Sequence, residues 1–294
     1  MQKLKIINNI LSNAIVSYTW IPEEIKVKLS ENNPFIVAGD TVYTNRMWLP
    51  RVFNDYSKDC IVIAGGVDCG IYDLDNETVG SPVHFPLSKR WTIKELPSNV
   101  KAIFSTNINS VNPKLIPLPY GVQAHQLKQI INLVNSGYLD FIKRNFLYVN
   151  FAPEANRVRV PVARFWNDQK LEWAKINFNV NNNPIPYEIA CHLNYQWINQ
   201  SKFVLCPDGN GLDSYRIWES LYLGAIPVVK NLKTYSHPEY LRMPLYKTND
   251  MTEMKVNFED LMKYNPETVD MSFLTRSYWN NKIKAALNIG NFKS

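Results

Sequence analysis

The chain has 294 residues, of which 46% are hydrophobic and 20% are charged. This composition is typical of a globular protein and excludes a disordered chain, and the length is sufficient for two α/β domains. The formal net charge of +6 suits an anionic ligand such as a nucleotide diphosphate. The lysines and arginines are scattered and no RNA- or DNA-binding signature occurs, so we expect no nucleic-acid partner.

Neither a leader nor a membrane segment is indicated by the sequence. The N-terminal stretch MQKLKIINNILSNAIVSY has no continuous apolar region, and no other stretch reaches the ~18 apolar residues of a membrane span. We therefore expect no stable membrane insertion, and a cytoplasmic protein or the catalytic core of something longer. The four cysteines, Cys60, Cys69, Cys191 and Cys206, form no CxxC pair, so we expect them to be reduced rather than to bind zinc.

In the first half of the chain, short apolar runs alternate with polar turns. The runs predict buried strands, and the segment after them has the apolar spacing of a helix. The predicted strands are residues 34–38, 60–64, 101–104 and 114–118, and the predicted helix is 124–135.

The pattern restarts after Ser136-Gly137. Its predicted elements are a strand at 145–151, helices at 164–175 and 186–200, a strand at 202–206, a glycine-rich turn, a helix, a strand at 225–230 and a final helix near 273–287. This alternation predicts an α/β fold with two Rossmann-like domains and a cleft between them. We expect an N-terminal domain at 1–140, a second domain at 141–272, and a C-terminal helix at 273–294 that crosses back to the first domain.

The most informative segment runs from residue 201 to residue 229. It predicts a strand, a loop with Gly209 and Gly211, a helix, and a second strand. The glycines allow the backbone to turn tightly and approach a ligand. Asp213 is the predicted N-cap of the helix and Gly224 its C′ residue. The N-terminus of such a helix is a ready site for a diphosphate.

On this helix, Ser214, Arg216 and Glu219 are spaced to share one edge. A hydroxyl and a guanidinium can bind phosphate oxygens, and a carboxylate can accept two hydrogen bonds from a ribose diol. The alternative is a surface ion pair between Arg216 and Glu219, worth only a few tenths of a kcal/mol.

A first block comprises Phe203-x-Leu-Cys-Pro207, Ser214-x-Arg216, Glu219 and Gly224-x-Ile-Pro-Val228. It resembles the C-terminal signature of the exostosin family of inverting glycosyltransferases. The second, residues 103–107 and 113–121, resembles the end of the family's N-terminal domain. The third, residues 147–151 with Asn156-Arg157, resembles the opening strand of its donor domain. The blocks lie between about residues 103 and 229, and the first hundred residues resemble no family closely.

The resemblance implies a GT-B fold with donor binding by the second domain. It implies that Ser214 and Arg216 hold the donor diphosphate, that Glu219 holds the ribose, and that Arg157 adds a phosphate contact. Arg159 and Arg164 are alternatives to Arg157, and the donor-binding candidates also include Gly209, Gly211 and Asn107, which ends the strand of the second block. Because viral and animal xylosyltransferases are similar in these motifs, the implied donor is UDP-xylose or another UDP-sugar, the acceptor is a glycan, and no other cofactor is expected.

An inverting transfer needs a base to deprotonate the acceptor hydroxyl. Asp40 and Asp68 each follow a predicted strand of the first domain, and Asp68 is preferred because the Gly65-Gly66 turn allows close approach. Both acids are also ordinary turn residues, His84 and His125 are weaker candidates, and the site can lack a base.

Asp73-Leu-Asp75 has the DxD pattern by which other glycosyltransferases hold a divalent cation. It lies in the half opposite the donor motif, so we expect metal-independent catalysis. A non-catalytic sugar- or nucleotide-binding subunit of the same fold is the alternative function. A P-loop kinase is disfavoured, because no GxxxxGK[ST] run is present.

Overall fold

The structure is a computed structural model that describes residues 2–16, 35–38, 60–64, 71–73, 91–93, 96–137, 143–169, 171–178, 186–251, 258–264 and 270–289. Within these residues the fold is mixed α/β, and its strands form three parallel sheets. None of the described helices is long and apolar enough to cross a membrane.

The first half of the chain contributes two of the sheets. One has four strands in the order β1-β2-β5-β7, namely β1 (Phe35–Ala38), β2 (Cys60–Ala64), β5 (Val100–Ser105) and β7 (Leu115–Pro117). The other has three short strands in the order β4-β3-β6, namely β3 (Ile71–Asp73), β4 (Trp91–Ile93) and β6 (Ile108–Asn109). The four predicted strands are therefore confirmed, and the three-stranded sheet was not predicted.

The second half forms a five-stranded sheet in the order β12-β11-β10-β8-β9. Its strands are β8 (Asn145–Val149), β9 (Ala174–Ile176), β10 (Ser201–Leu205), β11 (Ile226–Lys230) and β12 (Tyr246–Thr248). The central strands are continuous apolar runs, because both faces of a parallel sheet are buried.

Eight α-helices and three short 3₁₀ segments accompany the described strands. The helices are α1 (Gln2–Ser12), α2 (Ala124–Asn135), α3 (Arg159–Asn167), α4 (Tyr187–Asn199), α5 (Tyr215–Tyr222), α6 (Pro238–Leu241), α7 (Phe258–Lys263) and α8 (Arg276–Ile289). The 3₁₀ segments are Pro153–Ala155, Lys233–Ser236 and Met271–Leu274. Gly224 has a φ of 72° directly after the C-cap of α5, which confirms its predicted position as the C′ residue.

The predicted helix at 164–175 overlaps the observed helix only at 164–167, because helix α3 begins five residues earlier, at Arg159. Helix α3 ends at Asn167, and the chain then returns to the sheet as β9. Trp166 and Trp173 meet edge to face across the turn, with ring centroids 6.4 Å apart. The backbone carbonyl of Trp173 accepts a hydrogen bond from the Leu147 amide, so tertiary pairing overrides the local pattern.

The core extends across the two larger sheets without a break. One buried cluster contains Ile61 and Phe104 from the first-half sheet together with Tyr148, Val204 and Trp218 from the second half. A second cluster covers the other face of the five-stranded sheet, because alternate strand residues point to opposite sides. The predicted boundary at residue 140 lies outside the described residues, so the division into domains stays a prediction.

The two ends of the chain meet at the hydroxyl of Tyr222. This buried oxygen accepts a hydrogen bond from the Ile15 amide at 2.8 Å and donates one to the Leu274 carbonyl at 2.7 Å. Beside it, the Arg276 amide donates to the Asn13 carbonyl, so the start of α8 contacts the N-terminal segment. Through Tyr222, helix α5 contacts both the N-terminal segment and the segment that precedes α8.

Replacing Tyr222 by Phe should lower the free energy of unfolding by about 1–3 kcal/mol, because a buried amide and a buried carbonyl each lose a partner. Tyr187→Phe is the matched control. Tyr187 is 62% exposed, so the loss of its hydroxyl should change the free energy of unfolding little. Urea unfolding of both variants measures the difference. Equal midpoints would contradict this account of the junction.

Candidate functional site

A cleft of about 440 Å³ opens where β7, β8 and β10 end. Tyr120, Gln123 and Gln126 line it from the first half of the chain. The second half contributes residues 151, 152, 155 and 159 after β8, and residues 209–211, 213–216 and 219 after β10. Ligand sites of parallel α/β sheets lie outside the carboxyl ends of the strands, which is the position of this cleft.

The loop after β10 is held in place by two buried side chains that follow β8. The Arg159 guanidinium donates to the carbonyl of Asp208 at 2.8 Å, to that of Pro207 at 3.1 Å and to that of Ala152 at 3.3 Å. The Asn156 amide donates to the Gly209 carbonyl. These contacts fix the backbone of the loop on the cleft side.

Asn107 shapes the same loop from the first half of the chain. It has a φ of 56°, and its side-chain oxygen accepts a hydrogen bond from the Asp213 amide at 2.8 Å. A Cβ at Gly211 would lie 2.6 Å from the Asn107 side-chain oxygen and nitrogen, so a larger residue there would displace the Asn107 amide that holds the Asp213 backbone. Asn107 does not itself line the cleft, and its predicted contact with a donor stays a prediction.

Asp213 is not the N-cap of α5, contrary to the prediction; the N-cap is Ser214. The Asp213 carboxylate turns inward instead, where it accepts hydrogen bonds from the Tyr120 amide at 2.8 Å and from the Trp218 indole at 2.8 and 3.0 Å. Burial raises the pKa of Asp213 to about 7, although these hydrogen bonds favour the charged form.

Ser214 begins α5 at the edge of the cleft. Its hydroxyl oxygen is buried, yet it has no hydrogen-bond partner within the described part of the chain. The first amides of a helix also lack partners within that helix. The N-terminus of α5 therefore presents donors to the cleft that the described residues do not saturate.

Arg216 and Glu219 form an ion pair on the cleft wall, with 3.3 Å between guanidinium nitrogen and carboxylate oxygen. The pair is not on the open surface, since only 5% of the Glu219 side chain is exposed. Arg216 also donates to Asn194 at 3.1 Å, and the Tyr195 hydroxyl donates to Glu219 at 3.0 Å. Burial opposes the charge of Arg216 but Glu219 favours it, and the net effect raises the pKa of the arginine.

Three arginines follow β8, and the structure separates them. Arg157 and Arg164 are exposed and do not line the cleft, whereas Arg159 is buried against it. Burial, and then the charge of Arg216, lower the pKa of Arg159 to about 10. Arg159 is the first residue of α3, and its side chain contacts the loop after β10. This contact joins segments that are far apart in the sequence, so the local motif does not reveal it.

Most of the predicted acidic candidates of the first half belong to segments that the structure does not describe. Asp40, Asp68 and Asp75 lie outside the described residues, as do His84 and the Gly65-Gly66 turn, and Asp73 is the last residue of β3. His125 is exposed, with its Nε2 atom 3.4 Å from the Tyr187 hydroxyl. No group of three or more His, Cys, Asp or Glu side chains that could hold a metal ion occurs among the described residues.

A family model described as the RXYLT1 C-terminal domain matches residues 166–251, which include β10, α5 and all three candidates Ser214, Arg216 and Glu219. No curated protein matches. Among solved structures, the chain is similar to AviGT4, a glycosyltransferase involved in avilamycin A biosynthesis, at 8% identity and a TM-score of 0.34, covering 94% of this chain and 93% of that one. The family match supports a glycosyltransferase class for the chain.

The buried acids beside the cleft predict a pH-dependent stability. Burial raises the pKa of Asp208 to about 6, so the folded chain keeps this proton after the unfolded chain, with a pKa near 3.8, has lost it. The free energy of unfolding should therefore fall as the pH rises from about 4 to about 6. Asp208→Asn should remove this part of the slope and stabilise the protein at pH 8 by about 1–3 kcal/mol.

Thermal unfolding between pH 4 and pH 8 measures this effect. Asp168→Asn is the control, because Asp168 is exposed at the end of α3. A variant at position 208 with the same pH slope as the wild type would contradict the assignment.

Proposed function

We propose that this protein is an inverting, metal-independent glycosyltransferase of the GT-B type. It transfers a sugar from a UDP-linked donor, with UDP-xylose as the first candidate, to a hydroxyl of a glycan acceptor. The observation that carries the proposal is the N-terminus of α5, where Ser214, whose hydroxyl has no partner among the described residues, and the Arg216–Glu219 pair line one cleft. The match to a glycosyltransferase-class family model over the same segment supports it.

The charges along the cleft suit a diphosphate. Two arginines, Arg159 and Arg216, line the cleft together with the acids Asp213 and Glu219. Arg159 makes no ion pair with any described residue, and burial and then the neighbouring charge of Arg216 lower its pKa. A diphosphate at the helix N-terminus would offset the repulsion between the two guanidinium groups and accept hydrogen bonds from the Ser214 hydroxyl and the first amides of α5.

Glu219 is suited to the ribose of the donor. Its two oxygens each have one described partner, Tyr195 and Arg216, so each retains a lone pair for a further donor. A vicinal diol supplies two such donors. The existing contacts also fix the carboxylate before the ligand arrives, which reduces the ordering cost of binding.

In the proposed reaction the acceptor hydroxyl oxygen attacks the anomeric carbon from the side opposite the diphosphate. The bond from that carbon to the diphosphate oxygen breaks, and the electron pair leaves with UDP. The two arginines and the helix N-terminus stabilise the departing charge, as preorganised groups in a water-poor site do. The proton of the acceptor passes to a base, for which Asp68 and then Asp40 remain our candidates.

Glu219→Ala should weaken UDP binding in the presence of EDTA by about tenfold to a hundredfold, because two hydrogen bonds to a charged group are lost. The wild type should also prefer UDP to 2′-deoxy-UDP, and the variant should not. Calorimetric titration with a panel of UDP- and GDP-sugars, together with slow donor hydrolysis, measures affinity, donor choice and turnover.

Glu239→Ala is the matched control, since Glu239 also pairs with a cation, Lys282 at 2.7 Å, and accepts from a tyrosine, Tyr278, but lies outside the cleft. It should retain full nucleotide binding. Binding that requires Mn²⁺ and survives Glu219→Ala would refute the proposed donor site. Tight binding without any turnover, even with acceptors, would favour the non-catalytic subunit.

Ser214→Ala should separate ligand binding from folding. Because this hydroxyl has no described partner, its removal breaks no hydrogen bond within the described part of the protein and should leave the melting temperature unchanged. Affinity for UDP should nevertheless fall about tenfold, whereas affinity for uridine should not change. Ser236→Ala, at an exposed position, controls for the loss of a hydroxyl. Equal losses for UDP and uridine would place the phosphates elsewhere.

A further inference from the structure

Among the described residues, one side of the cleft carries no charged side chain. We call this side the amide wall and define it by Tyr120, Gln123 and Gln126 from the first half of the chain and Tyr215 at the start of α5. The described cations and carboxylates that line the cleft belong to the second half of the chain. The amide wall therefore differs in chemistry from the surface to which we assign the diphosphate.

The side chains of the amide wall are oriented by hydrogen bonds to one another. The Gln126 side-chain oxygen accepts from the Gln123 amide at 2.8 Å, which fixes the direction of the Gln126 NH₂ group. The Gln123 NH₂ group donates to the Tyr215 hydroxyl at 2.9 Å. Since that hydroxyl oxygen accepts here, its own proton can be donated to another group.

Not every hydrogen-bond donor of the amide wall has an acceptor among the described residues. Within the described residues, the Gln126 NH₂ group has no acceptor and the Tyr215 hydroxyl proton has none either. The Gln123 side chain accepts from the Gln126 backbone amide in a capping box at the start of α2. Two fixed donors thus face a cleft that is large enough for sugar rings.

Aromatic surface lies next to these amides. The rings of Tyr120 and Tyr215 are 4.8 Å apart between centroids and tilted by 57°. Tyr120 is held by its backbone amide, which donates to the buried Asp213 carboxylate at 2.8 Å. A sugar ring has an apolar C–H face and a rim of hydroxyls, and the amide wall offers a complement to each.

We propose that the amide wall binds the acceptor, and that the acceptor ring bound there is an uncharged sugar or polyol. This inference rests on the proposed function, because it takes the opposite side of the cleft to hold the donor diphosphate. Fixed neutral donors match hydroxyl groups, whereas a carboxylate or a phosphate on the acceptor would find no cation among the described residues of this side. Tyr215 directly follows Ser214, so a hydroxyl bound at the amide wall lies beside the bond that must break.

The test uses a matched pair of probes and a matched pair of variants. Methyl β-glucoside and methyl β-glucuronide differ only in the charged group at C6, and their binding is measured by saturation-transfer NMR with and without UDP. Gln126→Glu retains the oxygen that accepts from the Gln123 amide but replaces the NH₂ donors. Gln129→Glu puts the same charge on α2 away from the cleft.

We expect the wild type to bind the glucoside at least tenfold more tightly than the glucuronide. Gln126→Glu should weaken glucoside binding about tenfold, and Gln129→Glu should not change it. Equal glucoside binding by the two variants, or tighter binding of the glucuronide by the wild type, would overturn the proposal.

The ratio of the affinities for UDP-sugar and for UDP shows whether the amide wall binds the acceptor or the sugar of the donor. This ratio should be the same in Gln126→Glu as in the wild type, and a selective loss of UDP-sugar binding would assign the amide wall to the donor sugar instead. The two proposals also fail separately. Glucoside binding that depends on Gln126 without any nucleotide binding refutes the donor site alone, and nucleotide binding without glucoside binding refutes the amide wall alone.

Discussion

The carboxylate of Asp213 joins the two halves of the chain where the cleft forms, and the geometry of the site depends on it. It accepts hydrogen bonds from the Tyr120 amide in the first half and from the Trp218 indole in α5. The Asp213 amide in turn donates to Asn107. A buried carboxylate is costly unless such partners surround it, so these three elements are held in one arrangement. The position of α5 against the first-half sheet follows from this arrangement.

The polar groups that face the cleft are not all satisfied by hydrogen bonds within the described residues. Arg159 and Asn156 donate hydrogen bonds to the carbonyls of the loop after β10. Ser214 has a buried hydroxyl without a described partner, and the described hydrogen bonds of the buried Arg159 guanidinium go to backbone carbonyls. Both features are unfavourable for folding alone. Uncompensated polar groups of this kind are expected where a ligand completes them.

The sequence was sufficient to predict what local patterns determine. Apolar runs located the central strands, and the glycine after α5 marked the end of that helix. Prediction from the sequence failed where a residue bonds to a partner that is far away along the chain. Trp173 looks helical but pairs with β8, and Asp213 looks like a cap but turns towards Tyr120. Likewise, the choice between Arg157 and Arg159 depends on which side chain meets the next strand's loop, and spacing along one strand cannot determine that.

Among the described residues, the charged side chains of the cleft come from the second half of the chain, and this division bears on how the proposed donor would be oriented. On the second-half side, two arginines and an unsaturated helix N-terminus would stabilise the negative charge that the proposed reaction places on UDP. On the opposite side, the proposed acceptor site would orient hydroxyls through amides and tyrosines without competing for that charge. Cations on both sides would allow a diphosphate to bind in two orientations, of which only one would place its scissile bond beside Tyr215. The described first-half residues of the cleft offer the diphosphate no alternative counter-charge, which under the proposal favours the productive orientation.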